Sequence, residues 1–93
     1  YEAAAPITIE KHHIDTNHHV NNARYVEIAR EALPEEMEVK ELRVEYKKAA
    51  VFGDIVCPRV SRIEEGCVIA LCDTEGSPYA VVWLRGETGK DMR

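Results

Sequence analysis

The chain has 93 residues, a length that allows one compact domain. Hydrophobic residues make up 45% and charged residues 31%, which is typical of a soluble globular protein and excludes a disordered one. The net charge of -5 argues against a general nucleic-acid binder, which should be basic. No apolar run reaches the ~20 residues of a membrane span. Three cysteines without a paired spacing favour a reducing compartment, so we expect a cytoplasmic location.

The N-terminal third predicts a strand, a polar loop and a helix, in that order. Residues 7–11 alternate apolar and polar side chains, as a half-buried strand does. Residues 12–22 contain all four histidines and three asparagines, and this block is too polar for a core element. Apolar residues then recur at helical spacing, which predicts a helix of about three turns. Asn21 or Asn22 can cap its start, and Pro34 ends it.

The remainder of the chain predicts an antiparallel meander of four strands. They cover residues 42–46, 55–63, 67–72 and 79–84, followed by a frayed tail from residue 86. Pro58 indicates a bulge or an edge in the second of these strands. The single helix must bury its apolar face, and the simplest arrangement places it across the concave face of the sheet. The two apolar strands near the C-terminus would then be central.

The loop before the helix carries the chemically informative residues. Asp15, Asn17 and His19 stand at i, i+2 and i+4, and in an extended loop this spacing directs all three toward one side. The helix start adds free backbone N–H groups and a partial positive charge, which suit an oxyanion. An imidazole can relay a proton near neutral pH, a carboxylate can orient it, and a carboxamide can hydrogen-bond a carbonyl oxygen. Together these groups suit the hydrolysis of an activated acyl bond.

Two segments of the sequence resemble one enzyme family, the acyl-acyl-carrier-protein (acyl-ACP) thioesterases of bacteria and plants. The first is Asp-Thr-Asn-His-His-Val-Asn-Asn-Ala-Arg-Tyr-Val-Glu over residues 15–27, which is similar to the family's signature. The second is Leu-Arg-Val-Glu-Tyr-Lys-Lys over residues 42–48, followed by Gly53-Asp54. The resemblance spans residues 7–85. It implies a thioester hydrolase of fatty-acid biosynthesis that uses no cofactor and no metal.

The family fold is the α+β hot-dog fold, in which a curved antiparallel sheet, here of about five strands, wraps round one central helix. Family members usually carry two such domains. The short length and the start at Tyr1 therefore lead us to expect that residues 1–93 form one hot-dog domain, the C-terminal one of a tandem pair. The resemblance also implies acyl carrier protein as the substrate's carrier. We expect a homodimer, or pairing with an N-terminal hot-dog domain, and neither nucleic-acid nor membrane binding.

The same resemblance assigns the catalytic residues. The asparagine of the motif, Asn17, is placed on the thioester carbonyl, and His19 takes part in proton transfer. Asp15 is also counted in the site. The family's further acid, with a cysteine beside it in plant members, corresponds to Ala49 and Ala50, where this chain lacks both functional groups.

Candidate substrate contacts are weighed against structural roles. Tyr25 and Ile28 could line an acyl tunnel, but their helical spacing makes them core residues first. Lys47 and Lys48 could dock an acidic carrier protein, or could lie on a solvated strand face. His12, His13 and His18 are predicted as loop residues, since adjacent histidines point apart and suit a metal site poorly.

The remaining expectations concern the cysteines and two alternative functions. Cys57, Cys67 and Cys72 are predicted as core residues, because nothing pairs them with a histidine. A coenzyme A (CoA) thioester is an alternative substrate on the same fold. A catalytically weak binding or dimerisation module is the alternative of another class, since Ala49 and Ala50 replace the family's acid and cysteine.

Overall fold

The computed structural model describes residues 1–15, 19–33 and 37–88, with only the backbone described for the last two. Within these ranges, one α-helix and six strands form the domain. In chain order they are β1 (Glu2–Ala3), β2 (Ile7–Thr8), a 3₁₀ turn (Lys11–His13), α1 (Asn22–Glu31), β3 (Met37–Tyr46), β4 (Ile55–Ile63), β5 (Gly66–Cys72) and β6 (Pro78–Thr88). Within the described residues, no helix is long and apolar enough to cross a membrane.

The sheet is antiparallel, but its strand order is not a simple meander. The order is β1–β4–β5–β6–β3, and β2 also pairs with β4. The prediction that β3 lies beside β4 is therefore wrong. The near edge of β4 is occupied by the two short N-terminal strands, and the chain after β3 crosses the end of the sheet before it enters β4. The prediction that the apolar strands β5 and β6 are internal is confirmed.

Strand β3 forms the far edge of the sheet, and it is longer than the alternation over residues 42–46 indicates. It begins at Met37 and pairs with β6 as far as Thr88, so the predicted fraying from residue 86 is wrong up to that point. The register shifts between Val39 and Glu41, which leaves Lys40 as an unpaired bulge residue. Leu42 faces the concave side opposite Leu84 but stays 50% exposed, because the helix does not cover this edge of the sheet.

Helix α1 begins where the sequence predicts and packs on the central strands. Asn21 is the N-cap, and its side chain accepts a hydrogen bond from the Ala23 N–H at 2.8 Å. Tyr25, Ile28 and Ala29 are the buried face of the helix, which contacts β5 and β6. This arrangement confirms the helix-on-sheet packing of the hot-dog fold.

The N-terminal segment differs from the predicted strand over residues 7–11. Only Ile7 and Thr8 pair with β4, and the chain then turns into the 3₁₀ segment. Ala4 lies between β1 and β2, and its N–H donates to the Pro58 carbonyl oxygen at 3.0 Å. A proline lacks the N–H that a continuous neighbouring strand would need, so the interruption of the edge coincides with Pro58. Strand β4 lies between β1 and β5 and keeps a regular register at Pro58, so the predicted bulge or edge at this position is wrong. The proline is tolerated because it lies beside the gap between β1 and β2.

Candidate active site

A cavity of about 500 Å³ opens at the start of α1. Its described lining consists of Asp15, His19, Val20, Asn21, Asn22, Tyr25, Tyr46, Lys47, Lys48 and Ala49. We call Asp15, His19, Asn21 and Asn22 the helix-start wall. We call residues 46–49, from the end of β3, the strand-end wall.

A closed loop brings the polar residues of the helix-start wall together. The Asp15 N–H donates to the His19 carbonyl oxygen at 3.0 Å, and Ile14 pairs with Val20 as an isolated antiparallel bridge. The two ends of the loop are therefore fixed, and both exposed side chains, Asp15 and His19, line the cavity. The predicted convergence of these two residues is what the structure has. Asn17 lies outside the described residues.

The N-terminal end of α1 forms part of the same wall. Asn22 is the first helical residue and lines the cavity. The Arg24 N–H donates to the Asn21 carbonyl oxygen at 2.9 Å, so the first turn is well formed. Because the helix macrodipole places partial positive charge at this end, the wall favours a substrate oxygen that becomes negative during reaction.

Tyr25 and Tyr46 meet at the floor of the cavity. Their ring centroids are 5.9 Å apart, and the Tyr46 hydroxyl makes a long hydrogen bond of 3.5 Å to the Asn22 carbonyl oxygen. The Tyr25 hydroxyl accepts from the buried Ala50 N–H at 2.9 Å. Burial raises the pKa of Tyr25, and the nearby Asp54 carboxylate adds to this, so its hydroxyl stays protonated. No motif or spacing in the sequence marks Tyr46 as a cavity residue.

The two lysines of the strand-end wall line the cavity, and each already has an acidic neighbour. Lys47 Nζ lies 3.1 Å from a Glu45 carboxylate oxygen. Lys48 Nζ hydrogen-bonds Asp73, and it also stands 5.0 Å from the centroid of the Tyr79 ring. Glu45 and Asp73 therefore partly neutralise the two lysines predicted as candidate docking residues.

Ala49 and Ala50 have opposite environments, although the sequence resemblance assigns functional groups of the family to both positions. Ala49 is exposed on the cavity wall, whereas Ala50 is fully buried. Among the described lining residues, Asp15 is the one carboxylate. Glu45 cannot replace the missing acid, because it pairs with Val81 on the convex face of the sheet, opposite the helix.

The remaining histidines of the polar block stand apart from the cavity where the structure describes them. His13 accepts a hydrogen bond from the Glu10 N–H at 2.8 Å through Nδ1, and His12 lies 3.7 Å from the Glu10 carboxylate. Burial and the neighbouring His12 lower the pKa of His13. His18 lies outside the described residues. The described ranges contain no cluster of three or more His, Cys, Asp or Glu side chains that could hold a metal ion.

Ile28 and the cysteines belong to the packing rather than to the cavity lining. Ile28 is 3% exposed and joins the hydrophobic core, so it is not among the cavity residues. All three cysteines carry free thiols, and Cys67 and Cys72 are buried. Cys57 is only half-buried and lies outside the core cluster, so its prediction as a core residue is wrong. Burial raises the pKa of Cys72, which opposes thiolate formation.

The geometry of the cavity has a definite chemical capacity. A histidine and a carboxylate stand on the wall that also carries a helix N-terminus, while tyrosine rings supply an apolar floor. A group that transfers protons near neutral pH, next to a site for developing negative charge, suits the addition of water to a carbonyl carbon.

Comparison with known families and structures extends this picture. The family model for the acyl-ACP thioesterase C-terminal domain matches residues 3–83. Comparison with curated proteins gives no match. Among solved structures, an acyl-ACP thioesterase from Bacteroides thetaiotaomicron is 20% identical, with a TM-score of 0.83 over 92% of this chain and 37% of that one.

Two other structures show the same architecture. The 12:0-ACP thioesterase from Umbellularia californica is 24% identical, with a TM-score of 0.72 over 88% of this chain and 33% of that one. A hypothetical protein from Staphylococcus aureus, solved in complex with CoA, is 17% identical, with a TM-score of 0.77 over 87% of this chain and 71% of that one. At these identities the likeness shows the fold. This chain spans about a third of the length of the two acyl-ACP thioesterases, at 37% and 33%.

Proposed function

Because the chain belongs to the family of acyl-ACP thioesterase C-terminal domains, we propose that it hydrolyses a fatty acyl-ACP to free fatty acid and carrier protein. One observation carries the proposal. Asp15 and His19 converge on a single cavity at the N-terminus of α1. This convergence supplies a proton-transfer group and a site for an oxyanion at the same place.

The mechanism uses water as the nucleophile. The thioester oxygen is held by Asn17 and by an N–H of the helix start, and it takes the negative charge when water adds to the carbonyl carbon. His19 accepts the proton that water loses, and Asp15 orients the imidazole. When the carbon–sulfur bond breaks, His19 returns the proton to the leaving thiolate, so that a carboxylic acid and a thiol are released.

The acyl chain enters over the tyrosine floor. Tyr25 lines the cavity and is proposed as its first contact, whereas Ile28 would meet the chain only deeper, where helix and sheet now pack together. Lys47 and Lys48 are proposed as contacts for the acidic carrier. Since Glu45 and Asp73 neutralise much of their charge, we assign them a small share of the binding energy.

A CoA thioester is the second candidate substrate on the same site. The structural relative from Staphylococcus aureus is solved with CoA, which favours keeping this candidate. The carrier-protein and CoA substrates present the same thioester to the cavity and differ in what reaches its rim. Measured preference between them therefore decides the substrate without altering the proposed chemistry.

The third candidate is a binding module with little or no turnover. Ala49 stands on the cavity wall, at the position to which the resemblance assigns the acid of the family. The alanine at this position favours the binding module. A positioned acid or base contributes about 10²–10⁴-fold to a rate, so the loss of one such group leaves the rest of the site able to turn over.

A second hot-dog domain is the proposed structural partner, supplied by another copy or by a companion domain. The outer edge of β3 pairs with none of the described strands, and Leu42 and Tyr46 beside it are about half exposed. Antiparallel addition of a strand there would extend the sheet and cover these side chains. Sedimentation of this chain alone distinguishes the two sources, since a homodimer needs no other polypeptide.

The free thiols of all three cysteines support a reducing, cytoplasmic location.

The test is thiol release from a panel of acyl-ACP and acyl-CoA substrates, with His19→Ala compared against His12→Ala. We expect turnover of acyl-ACP by the unaltered chain, and a loss of about 10²–10⁴-fold in kcat for the His19 variant. The His12 variant is the matched control, because His12 lies in the 3₁₀ turn away from the cavity. A folded chain with no turnover of either substrate class would refute hydrolysis. Equal activity in both histidine variants would remove His19 from the mechanism.

A further inference from the structure

Residues 49–54 connect β3 to β4 and pass directly behind the candidate active site. Ala49 lines the cavity, and the next residue, Ala50, is fully buried. Val51 pairs with His19 as an isolated antiparallel bridge. The loop that carries the histidine therefore rests on this connecting segment, and its placement depends on what fixes the segment.

Two hydrogen bonds through one peptide segment join the helix to the histidine loop. The Ala50 N–H donates to the Tyr25 hydroxyl oxygen at 2.9 Å, in a buried position. The Ala50 carbonyl oxygen accepts from the Val20 N–H at 3.0 Å. Val20 follows His19 directly in the chain, so the contact begins on α1 and ends one residue from the proposed catalytic imidazole.

The anchor of this contact is rigid. Tyr25 is 2% exposed, and its ring packs in the core cluster on the buried face of α1. The phenol side chain has few rotatable bonds, so little freedom remains once the ring is buried. A buried N–H without an acceptor costs free energy, which gives the Ala50 N–H a strong preference for this hydroxyl.

The far end of the segment is held by a second set of contacts. An Asp54 carboxylate oxygen accepts from the Val51 N–H at 3.0 Å. The Gly53 N–H donates to the Ile9 carbonyl oxygen at 2.9 Å, and Gly53 adopts a positive φ of 91° that favours glycine. Tyr25 and Asp54 thus restrain the segment on both sides of the residue that bridges to His19.

We propose that Tyr25 is a positioning residue, whose hydroxyl fixes Ala50 and through it the backbone that presents His19 to the cavity. The effect on catalysis rests on the proposed thioester hydrolysis. The two hydrogen bonds of Ala50, to Tyr25 and to Val20, do not depend on that function, and we call this pair of hydrogen bonds the relay. In this role the hydroxyl serves the protein rather than the acyl chain. The ring still forms the cavity floor, so removal of the hydroxyl alone separates the two uses of the side chain.

The experiment compares Tyr25→Phe with Ile69→Val. The first variant keeps the ring and removes the acceptor of the Ala50 N–H. The second trims a buried side chain of β5 that is not part of the cavity lining, and it serves as a control for general loss of stability. Two quantities are measured for each variant. They are the kcat and KM for thiol release, and the hydrogen-exchange rate of the Val20 amide.

The relay predicts a specific pattern. In Tyr25→Phe we expect kcat to fall by about 10–100-fold with little change in KM, since a small misplacement of a catalytic group costs this much. The Val20 amide should exchange about tenfold faster, because its acceptor is no longer fixed. In Ile69→Val we expect unchanged kcat and no selective acceleration of Val20.

Other results overturn the proposal in distinguishable ways. An increase in KM with unchanged kcat would make the Tyr25 hydroxyl a substrate contact instead. An unchanged Val20 exchange rate would refute the relay, and so would the same selective acceleration in the Ile69 variant. A wild-type chain that hydrolyses no thioester refutes the proposed function, and the exchange measurement still decides the relay. If Tyr25→Phe does not fold, Asp54→Ala releases the other end of the same segment and keeps the hydrogen bond between Tyr25 and Ala50. An unchanged Val20 rate there supports the role of Tyr25, whereas a selective acceleration would assign the positioning to Asp54 and overturn it.

Discussion

The two walls of the cavity differ in how their described residues are held. The helix-start wall carries Asp15 and His19 on a loop whose ends are fixed by backbone hydrogen bonds. The strand-end wall carries two lysines, each beside an acidic side chain, and an alanine. The first wall therefore combines an imidazole and a carboxylate with a helix N-terminus, whereas Glu45 and Asp73 partly neutralise the lysines of the second. This difference supports placing the proposed chemistry on the helix-start wall.

Among the variants that compare the two walls, the largest effect should come from Asp15→Asn. This change removes the carboxylate that is proposed to orient His19, and we expect kcat to fall by about 10²-fold. Glu45→Gln is the matched control, because Glu45 lies on the convex face of the sheet and should leave kcat unchanged. Steady-state thiol release measures both variants. Equal losses would mean that the walls do not divide the work as described.

Substitution of the neighbouring alanines should change the stability of the fold to different extents. Ala50→Val inserts two carbon atoms at a fully buried position and should destabilise the fold by about 1–3 kcal/mol. Ala49→Val adds the same atoms to an exposed cavity wall, and its effect should stay within about 0.5 kcal/mol. Urea unfolding gives both values. A large cost at position 49 would contradict the exposed placement of that alanine.

A smaller effect is expected from the ion pair between Lys48 and Asp73. The hydrogen bond from Lys48 holds the pKa of Asp73 at about 2, below the ordinary 3.8, and the Ser77 and Glu75 N–H groups add to the effect. A lowered carboxyl pKa stabilises the fold above about pH 4, and this contribution is lost as the pH falls toward 2. Asp73→Asn should therefore be less stable than the wild type at neutral pH. Urea unfolding at several pH values should show the difference closing by about pH 2, whereas a constant difference would contradict it.

The smallest effect should come from Lys47. Its amine is exposed and lies near Glu45, so Lys47→Ala should raise the KM for an acyl-ACP by no more than about fivefold, as expected for a surface charge worth up to about 1 kcal/mol. The kinetics are best compared at low and high salt, because exposed charges are screened. A tenfold or larger rise in the KM for acyl-ACP would contradict this prediction and would make the strand-end wall a major docking surface.

The sequence predicted the elements of the fold better than their arrangement. Strand β4 was predicted with its observed bounds, and the helix start was predicted to within one residue, because alternation and an asparagine cap are local signals. The pairing of β3 with β6 was not, since periodicity assigns side chains to faces but does not choose neighbours. The extension of β3 to Met37 was also missed, because its partner residues 86–88 were interpreted as a frayed tail.

The candidate site shows the same division. The spacing of Asp15 and His19 within one loop predicted that they face one side, and the structure places both on the cavity. Tyr46 and the hydrogen bond between Tyr25 and Ala50 were not found, because they join residues more than twenty positions apart. Residues close together in the sequence can be recognised from a short motif. The positioning contacts form only when the helix and the strand ends pack together, so a motif does not predict them.

The central claim is that the loop before α1 supplies the groups that hydrolyse a thioester. Asn17→Ala tests it most directly, because this side chain is assigned to the carbonyl oxygen by sequence alone. The measurement is the kcat for thiol release from acyl-ACP by the variant and the wild type, both verified as folded by circular dichroism. We expect kcat to fall by about 10²–10³-fold in this variant, as for the loss of one donor to an oxyanion. An unchanged kcat in a folded variant would contradict it.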